Sequence, residues 1–358
     1  MKSGKSLQEF AVELDRQNKV KRDFLVDTRS LRMEATGDVA PVLAMQDRRS
    51  NATTIFGINE IAHDQIGSRL SIPAKYYDRM RVEQPHLLAE NVNTWFSANP
   101  EKRMVRTLDG TARAFLSNKY RPIDNYEIAN VVLPVIQQMR EARIESMELT
   151  DRRMYLKVVN PRLEREVAPG DIVQAGILIT NSEVGMSSVS IQPLVYQLIC
   201  TNGMVVNDAA TRQYHIGSGN EAGDNNVLYR TQTLKAMDRA FMYKVADTVK
   251  AAVDEVRFGK VVELMKAAKG ARMTTTDIPR VVELASKDFG IQQNESKGIL
   301  DHLIRGGDFS LYGLANATTR QAQDVESYDR STELESIGYD ILKMPRGQWN
   351  RLADAAAA

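Results

Sequence analysis

RMVRTLDGTARAFLSNKYRPIDNYEIANVVLPVIQQM, residues 103–139, is the stretch whose reading decides the fold class. RMVRTL and ARAFLSN alternate with a period of two, as half-buried strands do. Between them stands Asp109-Gly110, a dipeptide that tolerates positive φ at both positions and so closes tight hairpins. Pro122 then stops the strand, because it has no N–H to donate to a ladder. Asp124 followed three residues later by Glu127 is a capping box, so a helix starts there. Pro134 falls inside that helix and predicts a kink. A hairpin that hands over to a helix, with more strands to come, is the signature of an α+β fold.

Working outward, Met147–Leu149 and Met154–Val159 read as a second hairpin. Asp171–Thr180 and Val189–Cys200 read as two further strands, and Asn202-Gly203 as a tight turn into Met204–Val206. Residues 100–215 are therefore expected to form an antiparallel β-sheet core with a helix. Residues 1–99 read as a mainly helical region with strand-like pieces at 24–26 and 39–45. Its helical signals are Leu7, Phe10, Ala11 and Leu14, then Ile55, Ile58, Ile61 and Ile66, then Ser71 as N-cap ahead of Pro73, then 86–96. The Gly- and Asn-rich run 215–226 reads as a linker. Residues 227–358 read as a helical C-terminal region, opening with the stripe Leu234, Met237, Phe241, Val245, Val249, Val253 and Val256. Further helices are expected from about 276, with Pro279 in the first turn, and over 295–305 and 314–343. The fold class is α+β, with a central mostly antiparallel sheet, packed helices and a helical C-terminal region.

Lys plus Arg is 47 and Asp plus Glu is 46 in 358 residues, a net charge of +1. That excludes a wholly basic nucleic-acid binder but leaves room for a local basic patch. The one cysteine, Cys200, permits no intramolecular disulfide, which fits a reducing cytosol. The four scattered histidines give no zinc signature, and no cofactor or metal is expected. The longest uncharged stretch, 184–207, carries Ser, Gln, Pro, Asn and Gly throughout and is not a membrane span. A cytoplasmic location without membrane contact is the expectation.

Two charge clusters stand out. Lys102, Arg103, Arg106, Arg113, Lys119 and Arg121 bracket the first hairpin, with Asp109 the only carboxylate among them and Tyr120 inside the cluster. Cations that follow phosphates beside an aromatic ring that stacks a base are the recipe for single-strand binding. Arg152 and Arg153, at the second hairpin turn, extend that path. The plain alternative is a solvated strand face with a structural tyrosine. The second cluster is acidic: Asp324, Glu326, Asp329, Glu333, Glu335 and Asp340, interrupted only by Arg330. It reads either as a solvated helix face or as a surface for a basic partner. Cys200 ends an apolar strand and reads as an inert thiol. TNSEVGMSS, 180–188, reads as a small polar loop, and no nucleotide-binding or catalytic signature occurs.

Five segments are familiar as a set. They are LSIPAKYYDRM (70–80), LLAENVNTWF (87–96), RAFLSNKYRPIDNYEI (113–128), LICTNGMVV (198–206) and LYGLANATTRQAQDVESYDRSTELESIG (311–338). Their order and spacing resemble the phage/plasmid-like bacterial family of domain of unknown function 932, over roughly residues 25–340. The resemblance implies cargo of phages, plasmids and integrated elements, and no agreed reaction. The leading expectation is an oligomeric single-stranded DNA-binding accessory of such an element, supporting recombination or strand annealing. The alternative is a protein-binding module that inhibits or redirects a host factor through the acidic helix, with an enzyme as the third reading.

Overall fold

The computed structural model describes residues 1–35, 40–47, 50–207 and 231–355. The linker expected at 215–226 lies outside the described residues, as does the side chain of Leu234. The chain is α+β, and its strands form two sheets rather than one.

The N-terminal unit begins with α1 (Leu7–Val20), whose cap is Ser6 in a reciprocal box with Glu9. It continues through β1 (Arg22–Asp27), β2 (Leu31–Glu34), β3 (Val42–Gln46), β4 (Thr53–Ile58), α2 (Glu60–Arg69), α3 (Ala74–Glu83) and α4 (Pro85–Ala98). The hairpin β5 (Lys102–Leu108) and β6 (Thr111–Ser117) completes a six-stranded sheet in the order β1-β5-β6-β4-β3-β2. Among the described residues only the β4–β6 pair is parallel. Asp109 and Gly110 both have positive φ, as the hairpin turn requires. Ile66, Tyr77, Met80, Leu88, Val92 and Phe96 of the helices bury one face of this sheet against Met33, Leu43, Phe56, Val105 and Phe115. Asn93 closes the β2 edge. Its amide donates to Met33 O at 2.9 Å and accepts from Met33 N–H at 2.8 Å, taking the place of a neighbouring strand.

The second sheet is a five-stranded antiparallel meander, β7 (Arg143–Leu149), β8 (Met154–Ala168), β9 (Asp171–Asn181), β10 (Ser190–Gln197) and β11 (Asn202–Val205). It follows α5 (Asn125–Gln138), which runs through Pro134 without ending. One face carries Met154, Leu156, Val158, Ile177, Ile179 and Ile191. It packs under α1, α5 and α6 (Thr231–Ala251). The C-terminal helices are α7 (Glu255–Lys269), α8 (Ile278–Asp288), α9 (Gln293–Gly306), α10 (Leu311–Gln321), α11 (Tyr328–Leu342) and α12 (Arg346–Ala355). They share one apolar core with the β9–β11 end of the sheet, and Trp349 is buried in it. Gly338 lets α11 approach α10 closely, since a Cβ there would lie 2.3 Å from the Thr319 methyl. Among the described residues no helix is long and apolar enough to cross a membrane.

Four local readings differ from the structure. Ile55 and Ile58 lie on β4, and helix begins only after Asn59, whose side chain accepts from Ala62 N–H. The β-forming run Thr53-Thr54-Ile55-Phe56 outweighs the helical spacing of the isoleucines. Ser71 is not an N-cap. It takes φ +57° in the tight link between α2 and α3, and Pro73 occupies the cap position. The 102–117 hairpin joins the N-terminal strands, so the core expected over 100–215 is shared between two sheets. The turn before β11 is 198–201, with positive φ at Thr201, and Asn202 and Gly203 already pair with Gln197 and Tyr196.

Buried His63 sits 2.9 Å from the Tyr77 hydroxyl. Burial, aided by Arg81, lowers its pKa to about 4 from 6.5. The native imidazole stays neutral while the unfolded one gains a proton, so its contribution is complete above pH 6.5 and falls as pH drops toward 4. In urea unfolding, the stability of the wild type relative to His63→Gln should fall by on the order of 3 kcal/mol between pH 7 and pH 4. A pH-independent difference refutes the assignment.

Candidate functional site

The basic hairpin does not present its cations as one open face. Arg106 is fully buried. Its guanidinium donates to Asp23 at 2.8 and 3.0 Å, to Asp124 at 2.6 Å and to the Glu183 carbonyl at 2.8 Å. Lys21 pairs with the other oxygen of Asp124. Burial alone would raise the Asp124 pKa, but Arg106 and Lys21 hold it below its ordinary value. Arg113 is buried against Glu183 at 2.6 Å, and the same carboxylate accepts from the Asn125 N–H at 2.6 Å. These arginines lock the first sheet to the second and are not available to phosphate. The reading of Arg106 and Arg113 as phosphate contacts is corrected accordingly: a strand pattern shows alternation, but not whether a second sheet covers the polar rows.

The Arg103 guanidinium carbon lies over the Phe115 ring, 4.8 Å from its centre, and the side chain donates to Phe115 O at 3.2 Å. Burial pushes its pKa down. Tyr120 is no open stacking platform either. It packs against the cluster of Ile61, Ala114, Leu116 and Val184, and its hydroxyl donates to Ser182 O at 3.3 Å. Arg121 pairs with Asp238 of α6. Lys102 and Lys119 are exposed, and both lie at the open end of the hairpin, beside the Arg103–Ser117 register pair.

The polar loop 182–189 connects this end to the second hairpin turn. Ser182 accepts from Tyr120 through its carbonyl. Its hydroxyl donates to the Arg152 carbonyl at 2.8 Å. Gly185 keeps φ +76° and a side chain there would strike Leu116 at 2.6 Å, so the loop needs glycine to pass beneath the hairpin. Lys102 and Lys119 thus lie on a hairpin whose following residue Tyr120 is tied through Ser182 to the turn that carries Arg152 and Arg153. Arg153 Nε donates to Ser187 Oγ at 3.2 Å, and Arg152 is exposed.

Beyond Arg152 and Arg153 opens a cleft of about 750 Å³. Its floor is one row of the second sheet: Tyr155, Thr180 and Ser190 stand in register across β8, β9 and β10. Gln192 lies on the same face two residues along. The start of α11, with Asp329, Arg330, Thr332 and Glu333, forms a wall, and Asp329 accepts from the Thr150 hydroxyl at 3.3 Å beside the Arg152 turn. Tyr155 donates to Asp329 at 2.6 Å, and burial followed by this bond raises the phenol's pKa, so it stays a neutral donor. Arg330 bridges Glu295 and Glu333, each at 2.7 Å, and Glu295 is held below its ordinary pKa by it.

The acidic cluster is dispersed as well. Glu335 is wholly buried against Lys157 at 2.6 Å, with Lys157 Nζ 4.8 Å from the centre of the Tyr328 ring. Its place among partner-binding residues is corrected: the α11 face that carries it turns onto the sheet. Asp324 pairs with His302 at 2.6 Å, Asp329 accepts from Tyr155, and Glu326 and Glu333 are exposed. Sequence reading missed Lys157 and the cleft hydroxyls. The signal for Lys157 was present, since a lysine inside MYLKVV must find a buried counter-charge. Thr180, Ser190 and Gln192 gave none, because nothing local shows that α11 lies alongside.

The segments 198–206 and 311–338 also meet in space. Asn202 donates to Thr319, and Gln323 donates to Cys200 O at 3.1 Å. The family model described as Domain of unknown function (DUF932) matches residues 114–336, more than half of the chain. The chain belongs to the DUF932 family. The matched span holds Arg152, Arg153, the 182–189 loop, the cleft and most of α11. No curated protein and no solved structure matches the chain.

Proposed function

We propose that this chain binds a single nucleic-acid strand, as the accessory of a mobile element. The strand would run along Lys102, Lys119, Arg152 and Arg153 and not along the hairpin face. The observation that supports this reading is that Ser182 ties Tyr120, at the open end of the hairpin, to the Arg152 turn beside an open cleft. Phosphates bind such a row through counterion release, so even a nearly neutral protein suffices if four cations share a path. Serine hydroxyls in the 182–189 loop would supply sequence-independent donors to phosphate.

The test is fluorescence anisotropy with a labelled single-stranded oligonucleotide. Reversing Lys119, Arg152 and Arg153 together to Glu should weaken binding by at least about tenfold at low salt. Lys287→Glu, an exposed cation on α8, should leave it unchanged. Wild-type affinity in the triple variant overturns the reading. The acidic-helix alternative is left with a broken surface, because Glu335 is buried and Asp329 is engaged by Tyr155.

A further inference from the structure

A second recess, of about 570 Å³, opens between α7 and the second sheet, and it shares no lining residue with the cleft at Arg152 and Arg153. Its sheet side carries small side chains. Ala175 of β9 and Val195 of β10 are register partners, and Gly176 follows Ala175 with no side chain at all. A Cβ on Gly176 would lie 2.5 Å from the Val158 carbonyl oxygen, so this position stays bare. The helix side is α7, where Arg257, Val261 and Leu264 recur at helical spacing and share one face. Little bulk on the sheet leaves the space beneath that face unfilled. The charges on this largely apolar lining are unbalanced. Arg257, Lys260 and Lys343 line the recess, against one carboxylate, Asp254. Asp254 caps α7 and accepts from the Arg257 N–H at 2.7 Å. Lys343 Nζ lies 5.5 Å from the centre of the Tyr339 ring, which lines the same recess from α11. Lys260 lines the recess and is exposed, so it stands at the rim. Among the described residues it has no carboxylate within ion-pair distance. An uncharged chain in the recess would leave Lys260 without a counter-charge, and a bare phosphate would make no use of the apolar wall.

We infer that the recess binds a free medium-chain aliphatic carboxylate. The alkyl chain lies on Ala175, Val195, Val261 and Leu264, which release water as it enters. The carboxylate lies at Lys260, with Arg257 and Lys343 adding to the positive field around it. The volume of about 570 Å³ falls within the range that holds small ligands. The site goes beyond the strand reading and uses none of its residues.

Isothermal titration of the full chain with hexanoate, octanoate, decanoate and decanol, each below its micelle concentration, tests it. Affinity should rise about fourfold per methylene from hexanoate to decanoate, the worth of one buried methylene. Decanoate should bind about tenfold tighter than decanol, the worth of one charge-assisted contact at an apolar wall. Lys260→Gln should remove most of that preference and leave decanol unchanged. Lys266→Gln, at an exposed cation of α7 outside the lining, should change neither. Leu264→Trp should fill the recess and abolish the binding of both. Decanol binding as tightly as decanoate makes the recess a plain apolar crevice and overturns the inference. Undetectable decanoate binding overturns it too, as does a decanoate affinity that Lys260→Gln leaves unchanged. The wild-type comparison of decanoate with decanol decides the matter even if Leu264→Trp misfolds. The strand reading stands or falls separately, on the Lys119, Arg152 and Arg153 reversals.

Discussion

Lys157→Met should lower the unfolding free energy by about 3–5 kcal/mol. Lys157 Nζ and Glu335 Oε2 are 2.6 Å apart and neither side chain is exposed. Removing the ammonium strands a carboxylate between β8 and α11, where water cannot reach it. The cost comes from that orphaned charge rather than from the worth of the pair. The double variant Lys157→Met with Glu335→Leu should therefore recover most of the loss, because two apolar side chains of similar volume fill the same space. Denaturant unfolding of the two single variants and the double variant completes the cycle. Losses that simply add would show that the two groups are not coupled, and α11 would then need another reason to lie on this face.

Arg106→Leu should be comparably severe, at about 3–5 kcal/mol. Arg106 is the only described group that holds both Asp23 and Asp124, and it also satisfies the Glu183 carbonyl. Its loss leaves two carboxylates facing each other, with only Lys21 on one of them. Arg106→Lys should recover little, because a point charge on a flexible stem cannot reproduce three acceptors met by one planar fork. Urea unfolding measures the cost. Native-state hydrogen exchange locates it, with protection lost first between β5, β6 and the 182–185 segment. Near wild-type stability in Arg106→Lys contradicts the view that fork geometry joins the sheets.

Local signals carried most of the fold. The Asp109-Gly110 turn, the Asp124–Glu127 box and the Asp277–Pro279 helix start each depend on a few adjacent residues, and each is where the sequence places it. Sheet membership depends on residues far apart, so the partners of β5 and β6 were not legible. The same distance hid the fate of the charges. Arg106 and Lys102 look alike in a strand pattern, yet one is wholly buried against Asp23 and Asp124 and the other is exposed. Four of the six residues of the basic cluster, Arg103, Arg106, Arg113 and Arg121, are therefore engaged within the fold. Arg152 and Arg153, which the sequence offers only as an extension of that cluster, line the cleft.

The salt dependence of single-strand affinity tests the central claim most directly. Four cations along the path, each worth about 0.7 on a single strand, predict a log–log slope near −3 for the wild type. The slope should fall to about −1 or less in the triple reversal of Lys119, Arg152 and Arg153. A wild-type slope near zero, or one that the reversal leaves unchanged, would contradict the account.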